Sequence, residues 1–600
     1  MDQRTKTNIY WLALIIICVI GGIIFSLILL LPFEYQKSWV DTLAADGEVE
    51  SFTLRIYSFE KYCAGPLAVL FTVIAVFFLG FRDRAKFGIE AFLSSIRAFI
   101  FRMRREIREI TLSIKPSQSD LVPLIILFGI IALGTFFRYA YLWRPMGHDE
   151  TYTFMAFASR GLRFSMTDYH LPNNHVFHTI LVNLVFLLFG DSPAIIRLPA
   201  FLAGILIIPA TYLVGKQFFG TNIALVSASI VASLPVLIDY STTARGYTIL
   251  TFFTLIIVAL ALYVKDHKNL LAWGFLVIIS SLGLYTNPTM IYPIGMVLTW
   301  LLLSKLIKDV DNDYGLDYFI YLGSASVLIL VTTGVLYTPI ILNSGIQPLV
   351  SNDVIEALIW SDFYQSIPAR IRNTWAEWNR NLPGWISIIA IIGLVASLFV
   401  PRLPKKRRVP LIVAGILWIG TVLVIQRVAP WPRIWLFLLP LIVIWISAGI
   451  LGLIEFILTR IPHRDYLMIG VIGLLVILPL LASFSRSYSQ YSQKLHARGE
   501  LEKVAIYLSE YLQPEDVVVV TSPDTIVLKY YLRRYGISQE ATELTKDKPF
   551  DHAIVVVNKA YKQNLEYVLD RRSFLDDISL ESAEEIFSSK RFAIYQLSGD

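Results

Sequence analysis

Apolar runs of about 20 residues follow one another through most of the chain, and each has the length that crosses the hydrocarbon core of a bilayer. They predict 13 membrane-spanning helices, at residues 9–31, 62–80, 120–143, 193–216, 222–238, 246–264, 270–285, 287–305, 317–342, 384–401, 409–426, 433–457 and 466–484. The expected fold class is therefore a polytopic α-helical membrane protein.

Basic residues in the short loops orient these spans, because such loops stay on the cytoplasmic side. Arg4 and Lys6 place the N-terminus inside. The later basic loops contain Lys216, Lys265, Lys268, Lys305, Lys308, residues 405–408, Arg460 and Arg464. All of them fall inside if the apolar stretch 174–189 lies in the outer interface without crossing. We therefore predict that this stretch does not cross and that the C-terminus is outside.

Two regions differ from the spans. Residues 85–112 repeat apolar positions at helical spacing with arginines between them, which predicts a basic amphipathic helix on the cytoplasmic side. It lies either on the anionic leaflet or on the protein's own inner face. The last part of the chain alternates predicted helices (500–511, 525–534 and 559–569) with predicted strands (516–521, 552–558 and 591–597). This alternation predicts a small extracytoplasmic α/β domain.

The predicted organisation has three parts. Residues 1–118 hold two spans and the basic helix, residues 119–485 the main membrane domain, and residues 486–600 the α/β domain. The last domain has no glycine-rich phosphate loop and no cluster of metal ligands, so it is expected to be structural or to bind an acceptor.

Composition agrees with a membrane protein. The chain is 56% hydrophobic and 16% charged, whereas soluble domains have about 25% charged residues. The net charge of +6 is explained by loops that face an anionic leaflet, so nucleic acid is not an expected partner. Two cysteines, both in predicted spans, exclude a disulfide framework.

Asp149 and Glu150 are the first candidates for chemistry, because they follow a span on the predicted outer face. Adjacent helical side chains point about 100° apart, so one acid is expected to act in catalysis while the other orients or binds. The alternative is an ordinary helix N-cap. Metal binding is left open: Asp149 is the one candidate ligand for a divalent ion, and ion-free base catalysis is equally compatible.

Histidines and arginines on the same outer face complete the candidate site. His170 and His175 lie in a polar cluster without an HExxH pattern, so they are either interfacial anchors or contacts to a phosphate or sugar. Arg245, Arg433 and Arg427 are candidate phosphate ligands or topological anchors. An acid that deprotonates a hydroxyl, together with cations that neutralise a departing phosphate, suits sugar transfer from a lipid phosphate.

Several stretches between residues 120 and 485 resemble the GT-C type membrane glycosyltransferases, in particular family 39, with its protein O-mannosyltransferase and aminoarabinose transferase relatives. They are residues 147–152, 171–175, 189–192, 196–200, 244–248, 283–289 and 432–440. The resemblance implies a GT-C catalytic domain with Asp149 as the essential acid, interfacial helices in the first outer loop, and a polyprenyl-phosphate-linked sugar donor. Two positions depart from the family pattern: Asn173-Asn174-His175 replaces a proline pair, and no acid lies near Tyr247.

The sequence as a whole predicts an inverting glycosyltransferase that moves a hexose or pentose to a lipid, glycan or protein acceptor on the extracytoplasmic face. Asp149 and Glu150 are the predicted catalytic residues, and His170, His175, Arg245, Arg433 and Arg427 the donor ligands. The alternatives are a transporter or flippase for a lipid-linked saccharide, and a non-catalytic lipid-binding scaffold. The absence of Asn-x-Ser/Thr sequons favours the plasma membrane of a prokaryote.

Overall fold

The computed structural model describes residues 3–44, 54–114, 120–310, 314–350, 357–399, 410–459, 464–494, 499–542, 550–570 and 583–598. The chain forms two compact units, Met1–Lys115 and Pro116–Asp600. The basic loop 405–408 and Arg460, on which part of the predicted topology rests, lie outside the described residues.

The first unit is helical throughout its described residues. Its helices are α1 (Gln3–Leu30), α2 (Phe33–Ala44), α3 (Leu54–Gly80) and α4 (Arg82–Ile114). The predicted basic helix lies within α4. Glu106 of this helix is buried and pairs with Arg102 at 2.8 Å, while Phe92 and Phe101 stay exposed. Exposed aromatic and basic side chains on one helix suit a boundary between water and lipid.

The second unit begins with a long series of helices. They are α5 (Leu121–Leu142), α6 (His148–Ala156), α7 (Leu162–Thr167), α8 (Val176–Phe189), α9 (Pro193–Ile196), α10 (Leu198–Phe219), α11 (Thr221–Ser233), α12 (Pro235–Ser241), α13 (Tyr247–Asp266), α14 (Leu270–Thr286), α15 (Ile291–Leu306), α16 (Asp317–Ser344), α17 (Gln347–Val350), α18 (Trp360–Trp378), α19 (Gly384–Ser397), α20 (Leu411–Gln426), α21 (Leu439–Leu458) and α22 (Arg464–Lys494).

Each predicted span coincides with an apolar helix or helix pair. Among the described residues, nine helices are long and apolar enough to cross a bilayer, and α11 with α12, bent by 62°, makes a tenth. The shorter apolar helices α14, α19 and α20 lie at the other predicted spans. The stretch 174–189 forms α8, whose 14 residues extend for about 21 Å. Length does not separate α8 from α19, which also has 14 residues, so the position of α8 in the outer interface stays a prediction.

Helices α10, α11 and α13 lie at the centre of the second unit, and small residues allow their close approach. A Cβ atom on Gly204 of α10 would collide with Ser241 at the end of α12. The buried Arg138 of α5 donates to the Ser241 hydroxyl at 3.2 Å and to the carbonyl of Ala232 at 3.1 Å. This close packing fixes the turn before α13, which holds Arg245.

The C-terminal part of the second unit is a small α/β fold, as predicted. It contains α23 (Glu500–Tyr511), β1 (Val517–Val520), α24 (Asp524–Arg534), β2 (His552–Asn558), α25 (Leu565–Leu569), β3 (Glu584–Ser588) and β4 (Phe592–Ser598). The sheet order is β1-β2-β4-β3, with β1 parallel to β2 and the other pairs antiparallel. Two details differ from prediction: β3 is additional, and the helix predicted at 559–569 is reduced to the short α25.

The α/β fold packs directly on the helices that follow α5. Phe154 of α6 makes an edge-to-face contact with Tyr530 of α24, with ring centroids 5.8 Å apart. The Tyr531 hydroxyl accepts a hydrogen bond from the Met146 amide at 3.0 Å. A single buried apolar cluster joins the two regions. The predicted division at residues 485 and 486 falls inside α22.

Candidate active site

Asp149 lies in the first turn of α6, where the chain has just left α5. Pro145 and Gly147 separate the two helices. The Gly147 amide donates to the Glu150 carboxylate at 2.9 Å, which closes the first turn of α6. The Asp149 side chain is 45% exposed. Its carboxylate therefore faces solvent beside the free N–H groups of a helix N-terminus, where negative charge is stabilised.

Glu150 points in the opposite direction and forms a buried ion pair with Arg197. Arg197 Nε donates to Glu150 Oε2 at 2.9 Å, and Arg197 Nη2 donates to Glu150 Oε1. The Ala244 amide donates to the same carboxylate at 2.8 Å. Burial opposes ionisation of Glu150, but the Arg197 guanidinium outweighs burial and holds the pKa of the carboxyl below its usual value. Both side chains are almost completely buried.

The other donors of Arg197 hold the loop between α5 and α6. Nη1 donates to the carbonyls of Leu142 and Arg144 at 2.8 and 2.6 Å, and Nη2 donates to the carbonyl of Pro145 at 3.0 Å. All five N–H groups of this guanidinium therefore have acceptors. The pair fixes the position of α6 relative to α10 and to the turn before α13. Because Glu150 is buried and fully engaged, the prediction that it is catalytic is not supported, and a positioning role fits instead.

Two arginines flank the Asp149 carboxylate. Arg433 Nη1 donates to Asp149 Oδ2 at 3.0 Å. Partial burial opposes ionisation of Asp149, but the charges of Arg245 and Arg433 outweigh it and hold the pKa of the carboxyl below its usual value. Asp149 is therefore ionised at neutral pH. Arg433 lies in the segment Pro432–Leu438, far along the chain, which only the tertiary fold brings to α6.

Arg245 connects α6 to the loop before α8. Its Nη1 donates to the Thr153 hydroxyl at 2.8 Å and to the carbonyl of Asn173 at 2.7 Å. Asn173 Nδ2 and the Thr153 hydroxyl in turn donate to the carbonyl of Asp149, at 3.1 and 3.0 Å. Arg245 is 4% exposed, and its Nε makes no hydrogen bond with any described residue. One donor of a buried cation thus remains available.

His175 and Asn287 add donors beside Arg245. The Gly246 amide donates to His175 Nδ1 at 2.8 Å, so Nδ1 is an acceptor and the ring proton is on Nε2. Burial, together with the Arg245 charge, holds the pKa of His175 well below its ordinary value, so the ring is neutral. Asn287 Nδ2 lies 3.0 Å and Arg245 Nη2 lies 3.3 Å from His175 Nε2.

The orientation of Asn287 is fixed, because its Oδ1 accepts from the amide and hydroxyl of Thr289 at 2.9 and 2.8 Å. Three N–H groups, from an imidazole, an amide and a guanidinium, therefore meet at one point and face one another. Donors in this arrangement are satisfied by an anionic oxygen.

An apolar groove adjoins the segment that holds Arg433. It has a volume of about 420 Å³ and is lined by α18, α20 and residues of Pro432–Leu438, including Trp435 and Leu438. The segment Pro432–Leu438 therefore contacts Asp149 through Arg433, near its N-terminal end. Its C-terminal end lines the groove.

Comparisons with known proteins identify the class. Residues 176–337 match the family described as dolichyl-phosphate-mannose-protein mannosyltransferase. The fold is similar to that of ArnT from Cupriavidus metallidurans bound to undecaprenyl phosphate, with a TM-score of 0.53 at 12% identity over 79% of this chain and 97% of that one. The apo state of that ArnT gives 0.52 at 13% identity with the same coverage. No curated protein sequence matches.

The fold is that of the GT-C membrane glycosyltransferases, and residues 176–337 match the model of one transferase family. This confirms the resemblance drawn from the sequence, and it favours the glycosyltransferase prediction over the flippase alternative.

The structure brings together four of the predicted residues. Asp149, Arg433, Arg245 and His175 form one connected group. Glu150 lies behind them in the protein interior.

Two predicted residues lie elsewhere. His170 lies on the solvent-exposed side of α6, where it is hydrogen-bonded to Asp168 and Tyr152. Arg427 lies over the Trp360 ring at 5.4 Å, and no hydrogen bond or ion pair joins it to Asp149 in the described part of the chain. The prediction of a shared donor site for Arg427 is therefore not supported by its position. Its backbone is left-handed at the end of α20, which directs the side chain toward α18.

Sequence reasoning missed Arg197 and Asn287. Both lie in stretches that carry the family resemblance, but neither was assigned a role. An arginine directly before an apolar helix is a usable signal, because a charge buried there requires a partner. Asp239, the nearest acid to Tyr247, is paired with Arg144 and Arg380 and lies apart from Asp149.

Metal ligands do not cluster around Asp149. In the described ranges, no group of three His, Cys, Asp or Glu side chains lies close enough together to hold a metal ion. Asp149 contributes one carboxylate, and two guanidinium groups compete with any cation for it.

Proposed function

We propose that this GT-C transferase moves one sugar from a polyprenyl-phosphate-linked donor to a hydroxyl of a lipid, glycan or protein acceptor. The reaction takes place on the extracytoplasmic face of a prokaryotic plasma membrane and inverts the anomeric carbon. The observation that supports this most directly is the exposed Asp149 carboxylate held between Arg433 and Arg245.

Asp149 is the proposed general base. The acceptor oxygen attacks the anomeric carbon of the donor, the bond from that carbon to the phosphate oxygen breaks, and its electron pair leaves with the polyprenyl phosphate. The acceptor's proton passes to Asp149. The low pKa of this carboxyl keeps it ionised before the reaction, and base catalysis by a positioned side chain contributes about 10²- to 10⁴-fold.

The leaving phosphate is proposed to bind where Arg245, Asn287 and His175 direct their N–H groups together. Arg433 faces the same region from the other side of Asp149. Negative charge develops on the phosphate oxygens as the sugar departs, and fixed donors in a partly buried site stabilise it without reorganising. The neutral state of His175 suits a hydrogen-bond donor whose position is fixed by the Gly246 amide.

The polyprenyl chain is proposed to occupy the apolar groove between α18 and α20. A phosphate near Arg433 and a lipid beside Trp435 and Leu438 would be separated only by the length of one short segment. The similar ArnT structure contains undecaprenyl phosphate, which supports a donor of this class.

Positive charge from the two arginines is proposed to replace a divalent ion. A single carboxylate is a poor site for a hard cation, which prefers 6–8 oxygen ligands for Ca²⁺ or octahedral geometry for Mg²⁺. Transfer that persists in EDTA supports this proposal, and transfer that is lost in EDTA and restored by Mg²⁺ or Mn²⁺ contradicts it.

The test is a donor assay with purified protein in detergent. Radiolabelled polyprenyl-phosphate sugars (mannose, glucose, galactose, arabinose and aminoarabinose) are incubated with a membrane extract as the acceptor source. Asp149→Asn preserves the shape of the side chain and removes the base, so we expect at least a 100-fold lower rate. Asp465→Asn, at a 91% exposed carboxylate of α22, is the matched control and should keep the wild-type rate.

Label that leaves the lipid only when Asp149 is intact supports the proposal and names the sugar. Equal transfer by wild type and Asp149→Asn contradicts the base assignment. If no donor in the panel loses its sugar, the transferase proposal fails, and flipping of the same lipids in reconstituted vesicles tests the alternative.

A further inference from the structure

A hydrogen-bonded chain of three side chains lies on the outer side of α6, next to Asp149. His170 Nδ1 is 2.6 Å from Asp168 Oδ1, and His170 Nε2 is 2.8 Å from the Tyr152 hydroxyl. A carboxylate has no proton to donate, so the Nδ1 proton belongs to His170 and Nε2 accepts from Tyr152. The order of donation is therefore from Tyr152 to His170, and from His170 to Asp168.

Asp168 and the His170 ring are held in place by further contacts. The His170 amide also donates to Asp168 Oδ1, at 3.2 Å, and Asn174 Nδ2 donates to the Asp168 carbonyl at 2.8 Å. The His170 ring packs on Phe157 with centroids 5.1 Å apart. Asp168, Tyr152 and Phe157 thus hold the His170 imidazole in one orientation. That orientation fixes the direction of the Tyr152 O–H bond.

Tyr152 shares a face of α6 with Asp149. The two residues are three positions apart, which places their side chains as neighbours on the helix surface. Both side chains are partly exposed, as is His170 at 45%. In the described part of the chain, the hydroxyl of Tyr152 has His170 as its hydrogen-bond partner, and its oxygen lone pairs remain available.

The groups proposed for the donor lie on the other side of Asp149. Arg245, Asn287 and His175 are buried beneath α6, whereas Tyr152, His170 and Asp168 face outward. Asp149 therefore lies between a buried cationic side and a side that carries the Tyr152 hydroxyl and the Asp168 carboxylate. The Tyr152 hydroxyl and the Asp149 carboxylate are both partly exposed on neighbouring positions of α6.

We propose that Tyr152, His170 and Asp168 form a positioning relay that binds the acceptor, with the Tyr152 oxygen accepting a hydrogen bond from an acceptor hydroxyl beside Asp149. This inference rests on the proposed transferase function and reassigns His170 from the donor to the acceptor. Burial and the Asp168 charge raise the pKa of Tyr152 above its ordinary value, so the phenol keeps its proton and continues to donate to His170.

The experiment uses the full-length protein in detergent, the donor that reacts best in the panel, and the membrane extract titrated as acceptor. Tyr152→Phe, His170→Gln and Asp168→Asn should each raise the half-saturating amount of extract about 3- to 10-fold, the effect of one lost hydrogen bond. The half-saturating donor concentration should stay within about 2-fold of wild type. Tyr561→Phe and His267→Gln, at exposed positions far along the chain, are the matched controls.

A double-mutant cycle separates a relay from three independent contacts. Asp168→Asn acts through His170 on Tyr152, so the combination of Tyr152→Phe with Asp168→Asn should raise the half-saturating extract no more than Tyr152→Phe alone. Additive effects would contradict the relay. If Tyr152→Phe lowers the thermal transition of the protein, Asp168→Asn, which leaves the phenol in place, provides the same test.

The two proposals fail in different ways. Wild-type transfer with an unchanged acceptor requirement in Tyr152→Phe overturns the relay and leaves the transferase function standing. A raised donor requirement in the same variant also overturns it, because it returns His170 to the donor. No transfer by wild type with any donor overturns both.

Discussion

The buried pair between Glu150 and Arg197 gives the sharpest test of how this site is built. The sequence places two acids side by side and names both as candidate catalytic residues, one to act in catalysis and the other to orient or bind. The structure separates them: Asp149 faces solvent, and Glu150 is enclosed by Arg197 and the amides of Gly147 and Ala244. Glu150→Gln tests this separation, because it keeps the volume of the side chain and removes its charge.

The loss of stability expected for Glu150→Gln follows from the groups that remain buried around position 150. An amide at position 150 offers one acceptor oxygen and directs its NH₂ group at donors, so the buried Arg197 charge loses its counter-ion. Breaking a buried pair in this way costs about 3–5 kcal/mol, which is a large part of a typical stability of about 5–15 kcal/mol. Glu150→Gln should therefore lower the folded yield and the temperature of irreversible inactivation, and activity should fall in parallel.

Replacing both members with apolar residues should not restore stability. In Glu150→Met with Arg197→Met, the amides of Gly147 and Ala244 and the carbonyls of Leu142, Arg144 and Pro145 lose their partners. Each unsatisfied buried group costs about 1–3 kcal/mol. Buried ion pairs without such backbone contacts are often replaced at no cost.

The assay is size-exclusion chromatography of detergent-solubilised protein after heating, combined with the donor assay. Glu566→Gln, at an exposed carboxylate of α25, is the control and should behave as wild type. A Glu150→Gln protein that survives heating like wild type, yet transfers sugar at least 100-fold more slowly, would refute the positioning role. It would restore the catalytic role predicted from sequence.

Three further predictions test the surroundings of Asp149. Arg433→Gln removes a charge that lowers the Asp149 pKa, so the pH below which activity is lost should rise relative to wild type, as measured by rate against pH from 4 to 8; an unchanged acid limb would contradict the pairing. Arg427→Gln should leave the donor requirement within about 2-fold of wild type, because this side chain lies on Trp360, and a 10-fold rise would return it to the donor site. Tyr531→Phe leaves the Met146 amide unsatisfied and should cost about 1–3 kcal/mol, seen as a lower inactivation temperature; wild-type stability would contradict a structural role for this contact.

The C-terminal α/β fold has a consequence for the site that its sequence does not suggest. Its residues Tyr530 and Tyr531 contact the segment from Met146 to Phe154, which includes Asp149. Tyr530 also donates to the carbonyl of Asp191 at 2.7 Å. The α/β fold therefore packs against α6, the helix that holds Asp149, and its removal is expected to disturb α6.

The sequence by itself predicted the helical elements. Apolar runs predicted an apolar helix or helix pair at each proposed span, since crossing a bilayer imposes one local requirement on each segment. Loop charges predicted the side of the membrane, which stays a prediction, and the motif around Asp149 marked the position of the acid. The α/β alternation was equally local, although β3 and the length of α25 escaped because strand pairing depends on distant residues.

Only the tertiary structure decided which polar residues meet. Glu150 and Arg197 are 47 positions apart, His175 and Asn287 are 112 apart, and Asp149 and Arg433 are 284 apart. The sequence named both Arg427 and Arg433 as phosphate candidates, and both Asp149 and Glu150 as candidate catalytic acids. What separated them is burial: a charge taken out of water requires a specific partner, and which partner is available depends on how the helices pack.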